Sequence, residues 1–203
     1  MDDFILKKGI QALQWESYYR KKCDIDKSVF KHFLAPQITL DPDFEKHLIL
    51  LNIDKGKILD IGTGTGEQAI FLAKKGFEVT ATDVSPSAIK SAKEQASLNQ
   101  VAVNFLVDNI LLSRLTDQFD IIFDRGCFTL IPARYKQDYL LEIKKLLKPN
   151  GWLFIKSDKK KNNILSLFRD DTDFRAYALE ESSYLSLSGK MVPALVLVTQ
   201  KIM

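Results

Sequence analysis

The chain has 203 residues, of which 46% are hydrophobic and 27% are charged. This balance is typical of a globular protein and excludes a disordered one. The net charge of +3 is too small to indicate binding to nucleic acid or to an anionic membrane. No apolar run is long enough to span a bilayer. Because the opening Met1-Asp2-Asp3 lacks the basic start of a secretory signal and the chain has only two cysteines, we expect a cytoplasmic protein with reduced thiols.

The first part of the chain favours helices. Apolar residues recur at helical spacing over residues 4–22, which predicts a helix. Residues 30–40 lose this pattern and predict a loop, after which Asp41-Pro42 provides an N-cap and a first helical position. We therefore expect residues 1–55 to form a helical cap within one domain that covers residues 1–203.

From residue 56 onward, short apolar strands alternate with amphipathic helices. The predicted strands cover residues 57–61, 78–82, 101–107, 119–123, 152–155, 177–187 and 194–201. Ser85-Pro86 predicts the cap of the helix after the second strand, and the apolar stripe of the helix before the fifth strand ends at Leu147. This alternation predicts βαβ crossovers and a parallel sheet, while the short turn near residue 189 permits only antiparallel pairing of the last two strands. We therefore predict a Rossmann-like, doubly wound α/β core over residues 56–203, with about seven strands, mostly parallel with one antiparallel edge strand, and helices on both faces.

The most informative segment runs from Asp60 to Glu67, where a buried strand enters a turn with Gly62, Gly64 and Gly66. Glycine permits unusual backbone angles and lets a ligand lie against bare main chain. A pyrophosphate-binding turn has the pattern G-x-G-x-x-G, whereas here a glutamate begins the helix and would repel a phosphate. A carboxylate at this position suits a ligand that carries an amino group instead.

Acids also close the next two predicted strands. Asp83 follows the second strand, where a carboxylate can accept both hydroxyls of a ribose. Asp108 ends the third strand, with Asn109 or Ile110 beside it, and is placed to accept a hydrogen bond from an adenine amino group. A single strand-end aspartate is equally well explained as a turn former. Acids that close successive parallel strands next to a glycine turn favour one ligand-binding crevice.

These residues, in this order, resemble the motifs of the class I S-adenosylmethionine-dependent methyltransferases, and the resemblance covers residues 57–155. It implies that the main chain of Gly62-Thr63-Gly64 holds the methionine part of the cofactor, Asp83 the ribose and Asp108 the adenine. The predicted cofactor-binding residues are Asp60, Gly62, Thr63, Gly64, Gly66, Asp83, Val84, Asp108, Asn109, Ile110 and Asp124.

The Asp-Arg-Gly sequence at residues 124–126 resembles the thiopurine and tellurite-resistance type of small-molecule methyltransferase. The resemblance implies methyl transfer to a small molecule, such as a thiol or another soft nucleophile. We predict that Asp124 and Arg125 are catalytic and project into the crevice. Arg125 would hold an anionic acceptor or favour its ionised form, although a structural ion pair with Asp124 or Asp120 explains it equally well.

Other candidate residues carry weaker signals. Trp15 and Tyr19 also resemble that group, and they would form either a lid over a sulfonium through cation–π attraction or, as the aromatic spacing favours, a packed helix. Many relatives have a histidine soon after Asp-Arg-Gly, whereas this chain has Thr129 and Leu130, so no histidine base is expected. Cys127 is expected to be a buried thiol, and the two histidines lack the spacing of metal ligands.

Two alternative functions stay open. A nucleotide-dependent oxidoreductase shares the first βαβ unit and the ribose-binding acid, but it is disfavoured by Glu67. A catalytically silent, methyltransferase-like binding module is favoured by the missing histidine. A macromolecule methyltransferase is disfavoured because the fourth strand lacks the Pro-Pro-aromatic run that grips a flipped base. We expect a small-molecule substrate, no nucleic acid or membrane partner, and a monomer or homodimer.

Overall fold

The computed structural model describes residues 9, 12–21, 40–159, 164–168, 171–185 and 190–202. Residues 12–21 form helix α1, inside the predicted helix of residues 4–22, whereas residues 30–39 of the predicted loop lie outside the described residues. The α-helices that follow are α2 (Pro42–Leu50), α3 (Glu67–Lys74), α4 (Pro86–Leu98), α5 (Cys127–Leu130), α6 (Lys136–Leu146) and α7 (Ile164–Phe168). The strands are β1 (Lys57–Ile61), β2 (Glu78–Asp83), β3 (Asn104–Val107), β4 (Phe119–Arg125), β5 (Leu147–Asp158), β6 (Phe174–Leu185) and β7 (Met191–Lys201).

A seven-stranded sheet in the order β3-β2-β1-β4-β5-β7-β6 forms the centre of the described structure. Strands β1 to β5 pair in parallel, and β7 runs antiparallel to both β5 and β6. The predicted Rossmann-like α/β fold is confirmed. Among the described strands, β7 alone runs against the others. It lies one position inside the edge, because it inserts between β5 and β6, and β6 forms the edge.

Helices cover both faces of the sheet, each over its own apolar core. On one face, Phe44 of α2 and Ile70 of α3 pack in a cluster with Phe123 of β4. On the other face, Tyr139 of α6 packs in a cluster with Ile122. The consecutive residues Ile122 and Phe123 therefore point to opposite faces, as strand geometry requires. The prediction of helices on both faces is confirmed.

The largest difference from the predicted boundaries concerns β5, which begins at Leu147 rather than at residue 152. Leu147 pairs with Phe119 of β4, ahead of a register shift in that strand. Helix α6 consequently ends at Leu146, one residue before the predicted end. The apolar pattern does not reveal this boundary, because Leu147 is buried whether it closes a helix or begins a strand.

Both predicted helix caps are confirmed. The Asp41 side chain accepts the N–H of Asp43 at 3.1 Å, and Pro42 occupies the first position of α2. The Ser85 hydroxyl accepts the N–H of Ala88 at 3.1 Å at the start of α4. Helix α4 therefore begins directly beyond the end of β2, which brings its amino end to the carboxyl edge of the sheet.

Helix α2 lies in the predicted cap but packs directly on the sheet. The rings of Phe44 and Phe123 have centroids 4.8 Å apart. The buried ammonium of Lys156, near the end of β5, lies 2.9 Å from a carboxylate oxygen of Asp41 and 2.6 Å from one of Asp43. The division into a cap of residues 1–55 and a core of residues 56–203 stays a prediction. In the part of the chain that the structure describes, no helix has the length and apolar character needed to cross a membrane.

Candidate active site

The glycine turn follows β1 at the point where the strand order reverses, between β1 and β4, and open α/β sheets bind ligands at such points. Gly64 and Gly66 have φ angles of +59° and +87°, which lie in the left-handed region that favours glycine. A Cβ on Gly66 would lie 2.9 Å from the Cβ of Ala92, so this glycine lets α4 pack against the turn. Gly62, at the carboxyl end of β1, is exposed.

Asp60 is buried beneath the turn, where the hydroxyl of Thr63 donates a hydrogen bond to its Oδ2 at 2.6 Å. Burial raises the pKa of Asp60 to about 7, although the Thr63 hydrogen bond and the positive charge of Arg125 act in the opposite direction. The charge of Arg125 therefore reaches the base of the turn from the end of β4. Asp60 and Thr63 shape the turn, and their contact with a cofactor stays a prediction.

Asp83 connects the end of β2 to the glycine turn. Its Oδ2 accepts the N–H of Gly64 at 3.0 Å, and its Oδ1 accepts the N–H of Ser85 at 2.9 Å. Burial raises the pKa of Asp83, against the effect of these backbone donors. Val84, which follows, is half-buried. Each carboxylate oxygen has a second lone pair for a further donor such as a ribose hydroxyl.

Asp108 lies beside Asp83, because its N–H donates to the Asp83 carbonyl at 3.0 Å. The Asp108 side chain is buried and accepts the N–H of Arg114 at 3.1 Å. Asn109 caps a short 3₁₀ helix by accepting the N–H of Leu111 at 3.0 Å. Ile110 packs into the apolar core. The structure therefore brings Asp83 and Asp108 together, while the side chains of Asn109 and Ile110 already serve local structure.

Asp124 was predicted to project into the crevice together with Arg125, but its side chain is completely buried. Its catalytic and cofactor-binding roles stay predictions. Both carboxylate oxygens accept the N–H of Phe128, at 3.1 and 3.0 Å, and Oδ2 also accepts the hydroxyl of Tyr139 at 2.9 Å. Burial raises the pKa of Asp124 to about 6. Because consecutive strand residues alternate between faces, Asp124 lies on the α6 side, where it anchors α5 to the sheet.

Arg125 is exposed, one residue further along β4. The alternative expectation of an ion pair with Asp120 is not met, because Asp120 pairs with Lys148 at 2.8 Å and accepts the N–H of Lys57 at 2.8 Å. Arg125 and Asp60 instead lie within electrostatic range of each other. The structure therefore separates the two predicted catalytic residues and leaves only Arg125 at the edge of the crevice.

Helix α1 covers the glycine turn. The Tyr19 hydroxyl lies 2.7 Å from the position that a Cβ on Gly64 would occupy. Burial, followed by the nearby charge of Asp83, raises the pKa of Tyr19, which keeps the hydroxyl neutral. Helix packing was favoured for these aromatics, whereas the observed contact places Tyr19 at the predicted cofactor site. Glu16, which sequence patterns did not single out, hydrogen-bonds to Ser85 at the start of α4.

Cys127 is half-buried and packs against the turn, since a Cβ on Gly62 would lie 3.0 Å from the Cβ of Cys127. Burial raises the pKa of the Cys127 thiol, and the charges of Asp124 and Asp83 add to this effect. The thiol is therefore protonated at neutral pH, which does not suit a nucleophile. Within the described ranges, no three His, Cys, Asp or Glu side chains are grouped so that they could hold a metal ion.

The strand order, the glycine turn at the switch point and the acids at the ends of β2 and β3 are those of a Rossmann-like fold, in which ligands bind at the switch point. Comparison with known proteins narrows this class of fold. Residues 58–151, a little under half of the chain, match the family model described as a methyltransferase domain. The release factor glutamine methyltransferase of Lactococcus lactis subsp. lactis is 33% identical over 126 residues, which cover 61% of this chain and 45% of that protein.

Two solved structures have similar folds. The 1,6-didemethyltoxoflavin-N1-methyltransferase of Burkholderia thailandensis, solved with 1,6-didemethyltoxoflavin and S-adenosylhomocysteine, has a TM-score of 0.71, 18% identity, and coverage of 96% of this chain and 88% of that one. TehB from Haemophilus influenzae has a TM-score of 0.69, 15% identity, and coverage of 87% and 66%. Over residues 58–151 the chain is therefore similar to a methyltransferase domain, and the two solved structures share its fold. The chain spans less than half the length of the curated relative above.

Proposed function

We propose that this chain transfers a methyl group from S-adenosylmethionine to a small-molecule acceptor, such as a thiol or another soft nucleophile. The observation that carries the proposal is the hydrogen bond from the Gly64 N–H to the Asp83 carboxylate at 3.0 Å. It places an acid that can grip a ribose directly against bare glycine main chain at the switch point of the sheet.

The residues of the crevice suit this cofactor. Gly64 lacks a Cβ, which lets the Tyr19 hydroxyl of α1 approach within 2.7 Å of the position that a Cβ would occupy. Asp83, with Asp108 beside it, offers carboxylate oxygens to the ribose hydroxyls and to the adenine amino group. In this proposal the main chain of Gly62-Thr63-Gly64 holds the methionine part, and Asp60 supports the turn from beneath through Thr63.

The protein's part in the reaction is to position the acceptor and to exclude water. The bound cofactor supplies an activated methyl group on a positively charged sulfur. Arg125, exposed at the edge of the crevice, holds an anionic acceptor or favours its ionised form. Thr129 and Leu130 stand where many relatives have a histidine, and the Thr129 hydroxyl accepts the N–H of Asp158 at 3.0 Å. We therefore assign no base, and an ionised soft acceptor needs little help beyond alignment.

A small acceptor is favoured over a macromolecular one. The Burkholderia structure of similar fold was solved with a small molecule bound, whereas the Lactococcus relative is named for a protein substrate. In this chain β4 ends in Asp-Arg-Gly-Cys rather than in a Pro-Pro-aromatic run. Helix α1 also covers the glycine turn, which narrows the approach to the crevice.

Titration calorimetry with S-adenosylhomocysteine tests the cofactor assignment. We expect a dissociation constant of about 1–100 μM for the wild type and an affinity about thirtyfold lower for Asp83→Ala. Asp83→Asn keeps an acceptor for the Gly64 N–H and isolates the effect of the charge. Asp117→Ala, an exposed aspartate that precedes β4, is the matched control and should bind normally. Equal affinity in Asp83→Ala and Asp117→Ala would remove Asp83 from the cofactor site.

Turnover separates the alternatives. Incubation with S-adenosylmethionine and a panel of thiols, phenols and amines should release S-adenosylhomocysteine, and Arg125→Ala should reduce that release about tenfold while cofactor affinity stays unchanged. Cofactor binding with no turnover on any acceptor would favour a silent binding module. A fluorescence change with NAD or NADP, combined with no binding of S-adenosylhomocysteine, would favour an oxidoreductase.

A further inference from the structure

One carboxylate of helix α1 is hydrogen-bonded to the start of α4. Glu16 Oε2 accepts the hydroxyl of Ser85 at 2.7 Å and the N–H of Ser87 at 3.0 Å, and Glu16 Oε1 accepts the hydroxyl of Ser87 at 2.6 Å. These three contacts, which we call the Glu16 latch, join residues about 70 positions apart in the chain. They lie at the amino end of α4, where free N–H groups and the helix dipole favour a negative charge.

The latch depends on an ionised carboxylate. Burial acts to raise the pKa of Glu16, but the hydrogen bonds from Ser87 and Ser85 outweigh it and lower the pKa below its ordinary value. Glu16 therefore carries its charge throughout the neutral pH range. Leu13 of α1 is 70% exposed, so that side of the helix adds little apolar packing to the polar contacts of the latch.

The latch determines what lies over the glycine turn. Tyr19 follows Glu16 by three residues and so shares a face of α1 with it. Its ring packs against those of Tyr18 and Trp15, with centroids 5.2 and 6.0 Å away, and its hydroxyl lies directly above Gly64. A ligand bound at the glycine turn would lie beneath α1 and beside Tyr19, so α1 must move for the ligand to enter or leave.

We propose that Glu16 is a positioning residue that latches α1 over the crevice, so that breaking its contacts with Ser85 and Ser87 limits the release of the demethylated cofactor. This inference rests on the proposed function for the identity of the ligand. Ser85 also donates its N–H to Asp83, at 2.9 Å, and the latch therefore lies directly beside the residue assigned to the ribose. Closing α1 and binding the sugar involve the same short segment of the chain.

The experiment uses Trp15 as a reporter of α1. The chain has two tryptophans, so Trp152→Phe leaves Trp15 as the sole tryptophan, and every variant is made in this background. Glu16→Ala is expected to increase acrylamide quenching of Trp15 about threefold and to speed the dissociation of S-adenosylhomocysteine, followed by stopped flow, about tenfold. Glu16→Gln, which keeps an acceptor oxygen but loses the charge, is expected to fall between wild type and Glu16→Ala.

Glu94→Ala is the matched control, because Glu94 is exposed on α4 and its loss changes the charge of the protein equally. Unchanged quenching in Glu16→Ala would overturn the latch, and so would increased quenching with an unchanged dissociation rate. Ser87→Ala removes one latch contact and keeps Glu16, so a partial response in both measurements supports the latch even if Glu16→Ala folds poorly. If the wild type fails to bind S-adenosylhomocysteine, the proposed function is wrong. The quenching comparison needs no cofactor, so it still tests whether Glu16 holds α1 in place.

Discussion

Two strand ends of the proposed crevice carry an acid with a different role. At the end of β2, Asp83 is hydrogen-bonded to the glycine turn that the proposed cofactor would contact. At the end of β4, Asp124 is hydrogen-bonded to buried groups of α5 and α6. Asp83 accepts the N–H of Gly64. Asp124 accepts the N–H of Phe128 and the hydroxyl of Tyr139. Burial raises the pKa of both acids, so burial alone does not distinguish a ligand-binding acid from a structural one.

The difference comes from which face of the sheet each side chain occupies. Asp60 shares a face with Ile58, which belongs to the core beneath α2 and α3, and Arg125 shares the face of Phe123 in the same core. Asp124 shares the face of Ile122, which packs beneath α6. Arg125 and Asp124, one position apart on β4, therefore lie on opposite faces of the sheet. Arg125 is exposed at the proposed crevice, and Asp124 anchors α5.

The largest expected effect concerns Asp60. Its pKa is about 7 in the folded protein, against an ordinary value of 3.8. The folded state therefore keeps a proton that the unfolded chain loses, and the stability of the wild type falls as pH rises from about 4 to about 7. At about 1.4 kcal/mol for each pKa unit, the loss is on the order of 4 kcal/mol. Because asparagine does not titrate, Asp60→Asn lacks this loss. The free energy of unfolding of Asp60→Asn, measured with urea without cofactor, should therefore rise relative to that of the wild type across that range.

Asp117→Asn is the control for Asp60→Asn, because Asp117 is exposed and its replacement should give a difference from wild type that does not vary with pH. A difference for Asp60→Asn that stays equally constant would mean that Asp60 is ionised in the folded protein. The two halves of the crevice would then differ in charge state as well as in hydrogen bonding.

Gly64→Ala tests whether the half formed by β1 to β3 holds the cofactor. The new Cβ would lie 2.7 Å from the Tyr19 hydroxyl and would fill the space above the turn. We expect the affinity for S-adenosylhomocysteine, measured by calorimetry, to fall about a hundredfold, or about 2.8 kcal/mol. Gly76→Ala is matched to it, since Gly76 also has a positive φ, of +93°, but its Cβ would meet no neighbour within 4 Å. Equal affinity in the two variants would place the cofactor elsewhere.

Asp124→Ala tests the structural role of the β4 acid. Removing the carboxylate leaves the Tyr139 hydroxyl and the Phe128 N–H buried without an acceptor, which should lower the free energy of unfolding by about 2 kcal/mol. Arg125→Ala, at the adjacent exposed position, should change it by less than about 0.5 kcal/mol. The comparison is made by denaturant unfolding at one pH. If Asp124→Ala is as stable as the wild type but shows no turnover, Asp124 has a catalytic role rather than a structural one.

Patterns local in sequence were predicted correctly. The alternation of strands and helices, the caps at Asp41 and Ser85, and the glycine turn after β1 all follow from residues within a few positions of one another. The acids that close β2 and β3 could also be identified, because the carboxyl ends of parallel strands share one edge of the sheet. The missed signal was Glu16, whose partners lie about 70 residues further along the chain.

By itself, the sequence determined the class of fold and the position of the crevice, because both depend on short-range periodicity and on glycines that permit positive φ angles. Only the tertiary structure decided which way the β4 side chains face, that β7 inserts between β5 and β6, and that α1 closes over Gly64. These features depend on strand register, including the shift between Phe119 and Ile121, and on contacts between distant segments. Apolar periodicity within one segment does not record them, since it reports that a side chain is buried and not what it is buried against.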